Sequence, residues 1–148
     1  MRPVEVVVVE DNAADVYLIK LALEEAKIHF NLTVLKNGQE AIEHLCRSSQ
    51  VPENAIVPDV ILLDVNVPRT SGLEVLKRLK QTPHLANVPV AVMSSSIAES
   101  DQRASYLHGA AIYIEKSSSL EEYLLGIADT VQKLIGRRAS DQQASGAS

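Results

Sequence analysis

Two apolar runs that end in acids constrain this chain more than anything else in it. Val4 to Val9 is closed by Glu10-Asp11-Asn12, and Val60-Ile61-Leu62-Leu63 is closed by Asp64. A strand with one wet face alternates apolar and polar side chains. Runs as continuous as these read as strands buried on both faces, as in parallel sheets covered by helices. Asp64 then stands at the carboxyl edge of a central strand, where open α/β sheets bind ligands near the reversal of strand order.

The rest of the chain supplies the crossovers that such a sheet needs. From Ala13 to Lys27, Val16, Ile19, Leu23 and Ala26 recur at helical spacing, with Asn12 as the cap and Asp15 in the first turn. Leu32 to Lys36 reads as a second strand, broken by Asn37-Gly38, and Gln39 to Arg47 as a second helix around Ile42 and Leu45. Ser48 to Pro58 is polar and loop-like. Ser71 and Glu74 form a capping box for a third helix bearing Leu73, Leu76 and Leu79 before Pro83. Val88 to Met93 predicts a fourth strand, and Ser96 with Glu99 a second capping box opening a helix over Ile97 to His108, closed by Gly109. Ala111 to Glu115 is a short strand with Lys116 at its tip. Ser118 with Glu121, or Ser119 with Glu122, opens a last helix carrying Leu120, Leu124, Ile127, Val131 and Leu134 towards Arg138. Five strands alternating with five helices call for an α/β fold, doubly wound, with right-handed crossovers.

The 148 residues suit one domain, expected over 1–138, with 139–148 as a small, polar, disordered tail. A 46% hydrophobic and 22% charged composition is globular, and no apolar run approaches a membrane span. The start does not resemble a secretory signal, so a soluble, cytoplasmic protein is expected. Net charge −5 with scattered basic residues argues against direct nucleic-acid binding. Cys46 cannot pair internally and reads as a small packed hydrophobe; His29, His44, His84 and His108 lack ligand spacing.

Collected at one sheet edge, the strand tips offer Glu10 and Asp11, Asp64, Ser94 and Lys116. Three carboxylates brought together raise one another's pKa values unless a hard cation neutralises them, and an oxygen-rich site with retained waters suits Mg²⁺. A carboxylate is also a nucleophile able to accept a phosphoryl group. Phosphoryl transfer needs positioning and charge neutralisation, which Mg²⁺ and an ammonium supply, while a hydroxyl binds a phosphoryl oxygen. Asp64, Lys116 and Ser94 match those roles.

Four motifs, Val-Val-Val-Val-Glu10-Asp11-Asn12, Ile-Leu-Leu-Asp64-Val-Asn66-Val-Pro68 with Gly72, Val-Met-Ser94-Ser95, and Tyr113-Ile-Glu-Lys116, together resemble the receiver domain of bacterial response regulators over about residues 4 to 136. The resemblance implies a flavodoxin-like (βα)5 fold with a parallel five-stranded sheet of order 2-1-3-4-5, an arrangement the chemotaxis regulator exemplifies. It implies that Asp64 is the phosphoacceptor, that Asp11 and Asp64 bind Mg²⁺ with Glu10 assisting through water, and that the Asn66 backbone carbonyl completes the protein ligands. Lys116 would hold the phosphoryl group, Ser94 would swing to bond it, and Tyr113 would act as a switch by changing rotamer. Two departures stand out. Ser117 follows Lys116 where the family usually has proline, often in a cis peptide that would cost a non-proline residue about 3 kcal/mol. Ser94 replaces the commoner threonine, keeping the hydroxyl but losing a methyl and χ1 stiffness.

Each of these residues alone has a plainer reading: Asp64 as a turn residue, Glu10-Asp11 as a helix start, Lys116 as a solvated charge, Tyr113 as strand packing. Their agreement across four motifs favours a single-domain regulator that takes a phosphoryl group from a sensor histidine kinase. Such a regulator signals by protein contact, including a homodimer through the face of the fourth helix, fifth strand and fifth helix. The polar loop after the second helix, the missing proline and the long last helix resemble regulators encoded beside bacterial phytochromes. One alternative is a phosphatase of the haloacid dehalogenase type. That family places its nucleophile after the first strand with a second Asp two residues on, whereas Asp64 follows the third strand and Asn66 stands two residues later. A degenerate receiver acting as a scaffold is the other alternative.

Overall fold

Alternate residues of the three central strands divide between two hydrophobic layers, and that division organises the computed structural model. It describes residues 2–46, 57–67, 70–116 and 119–146, with side chains to residue 136. The elements are β1 (Val4–Val9), α1 (Ala13–Glu25), β2 (Phe30–Leu35), α2 (Gly38–Leu45), β3 (Val60–Asp64), α3 (Gly72–Gln81), a 3₁₀ turn (Pro83–Leu85), β4 (Val90–Ser94), α4 (Glu99–Leu107), β5 (Ile112–Glu115) and α5 (Leu120–Gly146). The sheet is parallel throughout, in the order β2-β1-β3-β4-β5.

Val7, Val9, Ile61, Leu63, Val90 and Val92 face one way and pack with Leu45, Leu76 and Leu79 of α2 and α3. Val6, Val8, Val60, Leu62, Ala91 and Met93 face the other and pack with Ile19 and Leu23 of α1 and Ile127, Val131 and Leu134 of α5. Side chains alternate across a strand, so a run apolar at every position serves both layers. All five residues of β3 are buried, as are all five of β4.

Asn12 caps α1, accepting from the N–H groups of Ala14 and Asp15, and Ser71 caps α3, accepting from the Glu74 N–H at 3.3 Å. For α5 the cap is Ser119, which accepts from the Glu122 N–H at 3.2 Å. The structure departs from expectation at several places. The Ser96–Glu99 capping box does not form: Ser96 Oγ instead accepts from the Ala98 N–H and donates to Asp101 Oδ2, and α4 starts at Glu99 without a side-chain cap. Strand β4 starts at Val90, because the Val88 N–H is spent on Leu85 in the 3₁₀ turn and Pro89 has none to offer the ladder. The buried stripe of α5 is Tyr123, Ile127, Val131 and Leu134, while Leu120 is exposed and Leu124 half-buried. Ile127, Val131 and Leu134 face inward as expected, and Tyr123, four residues before Ile127, continues their face at the start of the helix.

The backbone of α5 continues past Arg138 to Gly146, through a segment with no proline to stop it. The polar segment after the second helix, Pro68 and the Lys116–Ser117 bond fall wholly or largely on residues 47–56, 68–69 and 117–118, outside the described residues. Among the described residues no helix is long and apolar enough to cross a membrane. Cys46 ends α2 as its C-cap and packs against the α2–α3 layer, and His84 Nε2 lies 3.0 Å from the Leu45 carbonyl.

Candidate functional site

The parallel register carries the acidic tips to one edge. Glu10 follows β1 directly, its N–H still bonded to Leu35 of β2, and is almost fully buried at 1% exposure. Asp11 beside it is exposed. Asp64 ends β3, paired in register with Met93, and is 4% exposed. Ser94 ends β4 and is also buried. The Lys116 N–H donates to the Ser94 carbonyl at 2.7 Å, so the lysine backbone is tied to the same edge.

Lys116 reaches back across that edge. Its Nζ lies 2.7 Å from Asp64 Oδ2, 2.7 Å from Glu10 Oε2 and 3.2 Å from Asp15 Oδ2. Carboxylate oxygens of Glu10, Asp11 and Asp64 lie within 4.8 Å of one another. Asp64 Oδ1 accepts from the Asn66 N–H at 2.8 Å, and Glu10 Oε1 from the Asn12 N–H at 3.2 Å. Among the described residues no buried side-chain polar atom lacks a partner.

The loop after Asp64 depends on a close approach. The Gly72 N–H bonds the Val65 carbonyl at 3.1 Å, and a Cβ on Gly72 would lie 2.2 Å from Val65 Cα. Only glycine lets the start of α3 fold back this tightly beside the acid.

Electrostatics follow from burial against charge. Burial pushes the Glu10 carboxyl up to about 7; the neighbouring Asp64 carboxyl adds to the rise and Lys116 only partly offsets it. For Lys116, burial works to lower the pKa, but hydrogen bonds and attraction from Asp64 and Glu10 outweigh it and hold the ammonium above its ordinary value. Three carboxylates, Glu10, Asp15 and Asp64, therefore share one ammonium, with Asp11 beside them. A cluster of hard oxygen donors, one of them reluctant to ionise, fits a hard divalent cation, which would relieve the excess negative charge.

Ser94 Oγ accepts from the Ser96 N–H at 3.1 Å, at the start of the loop leading to α4. Tyr113 is half-buried on β5, and its hydroxyl donates to the Ser96 carbonyl at 2.8 Å. Every residue singled out from the strand tips thus lies on this edge or one contact from it. Two further residues adjoin the site. Asp15 reads in the sequence as a helix-start acid, and only its spacing from the β1 tip hints that the first turn of α1 overhangs the same edge. Tyr123 lies under the site, its hydroxyl 3.7 Å from Met93 Sδ; burial pushes that hydroxyl up to about 12. No sequence signal distinguished it from the apolar residues around it.

Comparison with known proteins agrees with this arrangement. The family model described as "Response regulator receiver domain" matches residues 6–128. Response regulator Rcp1 of Synechocystis sp. is 37% identical over 120 residues, covering 81% of this chain and 81% of Rcp1. The crystal structure of the phosphorylated cyanobacterial phytochrome response regulator RcpA superposes with a TM-score of 0.76 at 37% identity, over 87% of this chain and 91% of that one. The Mn²⁺-bound form of Rcp1 superposes with a TM-score of 0.75 at 35% identity, over 86% and 91%. Phosphorylation by a histidine kinase is the role of this family, and divalent-metal binding accompanies it. With the fold, the strand-tip edge and the sequence match in agreement, the chain belongs to the response regulator receiver domain family.

Proposed function

We propose that Asp64 is the phosphoacceptor of this receiver domain, taking its phosphoryl group from a phosphohistidine on a sensor kinase. The observation that carries this reading is the convergence of Lys116 Nζ on Asp64 and Glu10, both at 2.7 Å, at the carboxyl edge of the sheet. An Asp64 carboxylate oxygen forms the new bond to phosphorus as the phosphorus–nitrogen bond breaks. The electron pair returns to the imidazole, and an acyl phosphate remains on Asp64. Lys116 offers its ammonium to a phosphoryl oxygen, and Ser94 turns its hydroxyl to another. Glu10, Asp11, Asp64 and the Asn66 backbone carbonyl hold Mg²⁺, which supplies charge neutralisation when bound. The same groups support reaction with a small phosphodonor and later hydrolysis of the acyl phosphate.

Tyr113 couples the chemistry to the surface. Its hydroxyl holds the Ser96 carbonyl, two residues from Ser94, so movement of Ser94 towards a phosphoryl group alters the loop that leads into α4. The output is then a protein contact, with homodimerisation through α4, β5 and α5. Exposed Ile97, Tyr106 and Leu107 on the loop before α4 and on α4 itself support that surface. Similarity to RcpA supports a phytochrome-class kinase as the upstream partner.

Acetyl phosphate or beryllofluoride with Mg²⁺ is expected to modify Asp64 or mimic its modification, read by intact mass or fluorine NMR, and Asp64→Asn to abolish the signal. Persistence of the Mg²⁺-dependent signal in that variant overturns the assignment.

A further inference from the structure

Lys116 is shared among more acids than it can serve once a cation arrives. Its backbone is tied to Ser94, so only the side chain can move, and its ammonium contacts Asp64, Glu10 and Asp15 together. Two of those three, Glu10 and Asp64, also belong to the carboxylate trio suited to a divalent cation. Like charges cannot share the same oxygens cheaply in a site this buried. Asp15 stands outside the trio. It sits in the first turn of α1, its N–H taken by Asn12 Oδ1 at 3.1 Å, and its side chain keeps 29% of its surface exposed. Of the three contacts to Lys116 it is the longest, at 3.2 Å, and therefore the one with most room to tighten.

We propose that Asp15 is a positioning residue: it takes over the Lys116 ammonium when Glu10 and Asp64 turn to a divalent cation, keeping the lysine beside Asp64. The proposal rests on the reading of Asp64 as acceptor and extends it to a residue outside the family's acidic pair. The ammonium has no distance to travel, because Asp15 is already within hydrogen-bond reach. Without Asp15, Lys116 falls back on Glu10 and Asp64 alone and competes with the cation for them. A purely structural role, in which Asp15 only complements the α1 dipole, predicts no link to Lys116.

The test is a double-mutant cycle read by Mn²⁺ binding, followed through loss of the free-ion paramagnetic resonance signal. Asp15→Asn is expected to weaken binding on the order of fivefold. Lys116→Met is expected to strengthen it, and adding Asp15→Asn to Lys116→Met to change nothing further. Asp15→Glu restores the wild-type value, and Asp15→Ser repeats the Asn result should Asn disturb the helix start. An equal loss in both backgrounds would mean plain attraction between Asp15 and the cation and overturns the proposal, as does no loss with Lys116 present. Failure of the wild-type protein to bind Mn²⁺ at all overturns the metal site on which the proposed function rests.

Discussion

The strand-tip edge and the α4 flank are built on opposite plans. At the edge, Glu10, Asp64 and Ser94 are buried at the carboxyl ends of strands packed on both faces. On the flank, Ser105 is the one buried residue of α4, and the helix is held by polar contacts. Gln102 donates to Glu115 at 3.1 Å, Tyr106 Oη accepts from the Tyr113 N–H at 3.2 Å, and Ser96 joins Asp101. Apolar burial is lost all at once when an element moves, whereas exposed hydrogen bonds exchange with water at a net cost of about 1 kcal/mol each. The chemistry therefore sits where the backbone is stiff, and the helix that answers to it sits where rearrangement is cheap.

The largest test of that contrast is a pair of truncations. Leu62→Ala, in the fully buried β3, is expected to cost about 2–5 kcal/mol in urea unfolding, and Leu107→Ala, on the exposed face of α4, no more than about 0.5 kcal/mol. Comparable losses at both would break the comparison.

Glu10 gives the next effect, through pH. Its folded pKa of about 7 lies above the unfolded value of 4.5, so the folded state holds the proton more tightly between them. Its contribution to stability is full below about pH 4.5 and is lost as pH rises through about 7, a change on the order of 3 kcal/mol. Lys116, whose pKa is raised above 10.5, titrates outside this window and adds no slope to it. Subtracting the pH–stability curve of Glu10→Gln from that of the wild type should isolate the fall; parallel curves would show that the edge does not hold Glu10 as tightly as its burial indicates.

The smallest effect belongs to the flank. Tyr113→Phe removes the hydroxyl held by the Ser96 carbonyl and is expected to cost about 1 kcal/mol. Amide exchange should quicken in the loop before α4 and in α4 itself while β3 keeps its protection. Faster exchange spread evenly over the sheet would mean that the two regions are not separable.

Much of this was legible in the chain because burial on both faces leaves a local signature. The Val4–Val9 and Val60–Leu63 runs announced central strands, and their acids fell at the carboxyl tips because a strand's direction settles which end is which. The Asn12 and Ser71 caps were equally local, each needing only a short side chain and a nearby N–H. Ser96 misled because its hydroxyl had a rival partner in Asp101, and a motif cannot say which of two neighbours wins.

Sequence by itself determined the order of strands and helices, the two-sided core and the acids at the strand ends, since each follows from residue type and short-range spacing. The tertiary structure alone decided that Asp15 leans onto a lysine 101 residues away, that Tyr123 rather than Leu120 turns inward, and that α4 rests on hydrogen bonds. Those outcomes depend on which side chains meet across elements far apart in the chain, and that is set by the whole packed layer rather than by any one stretch of chain.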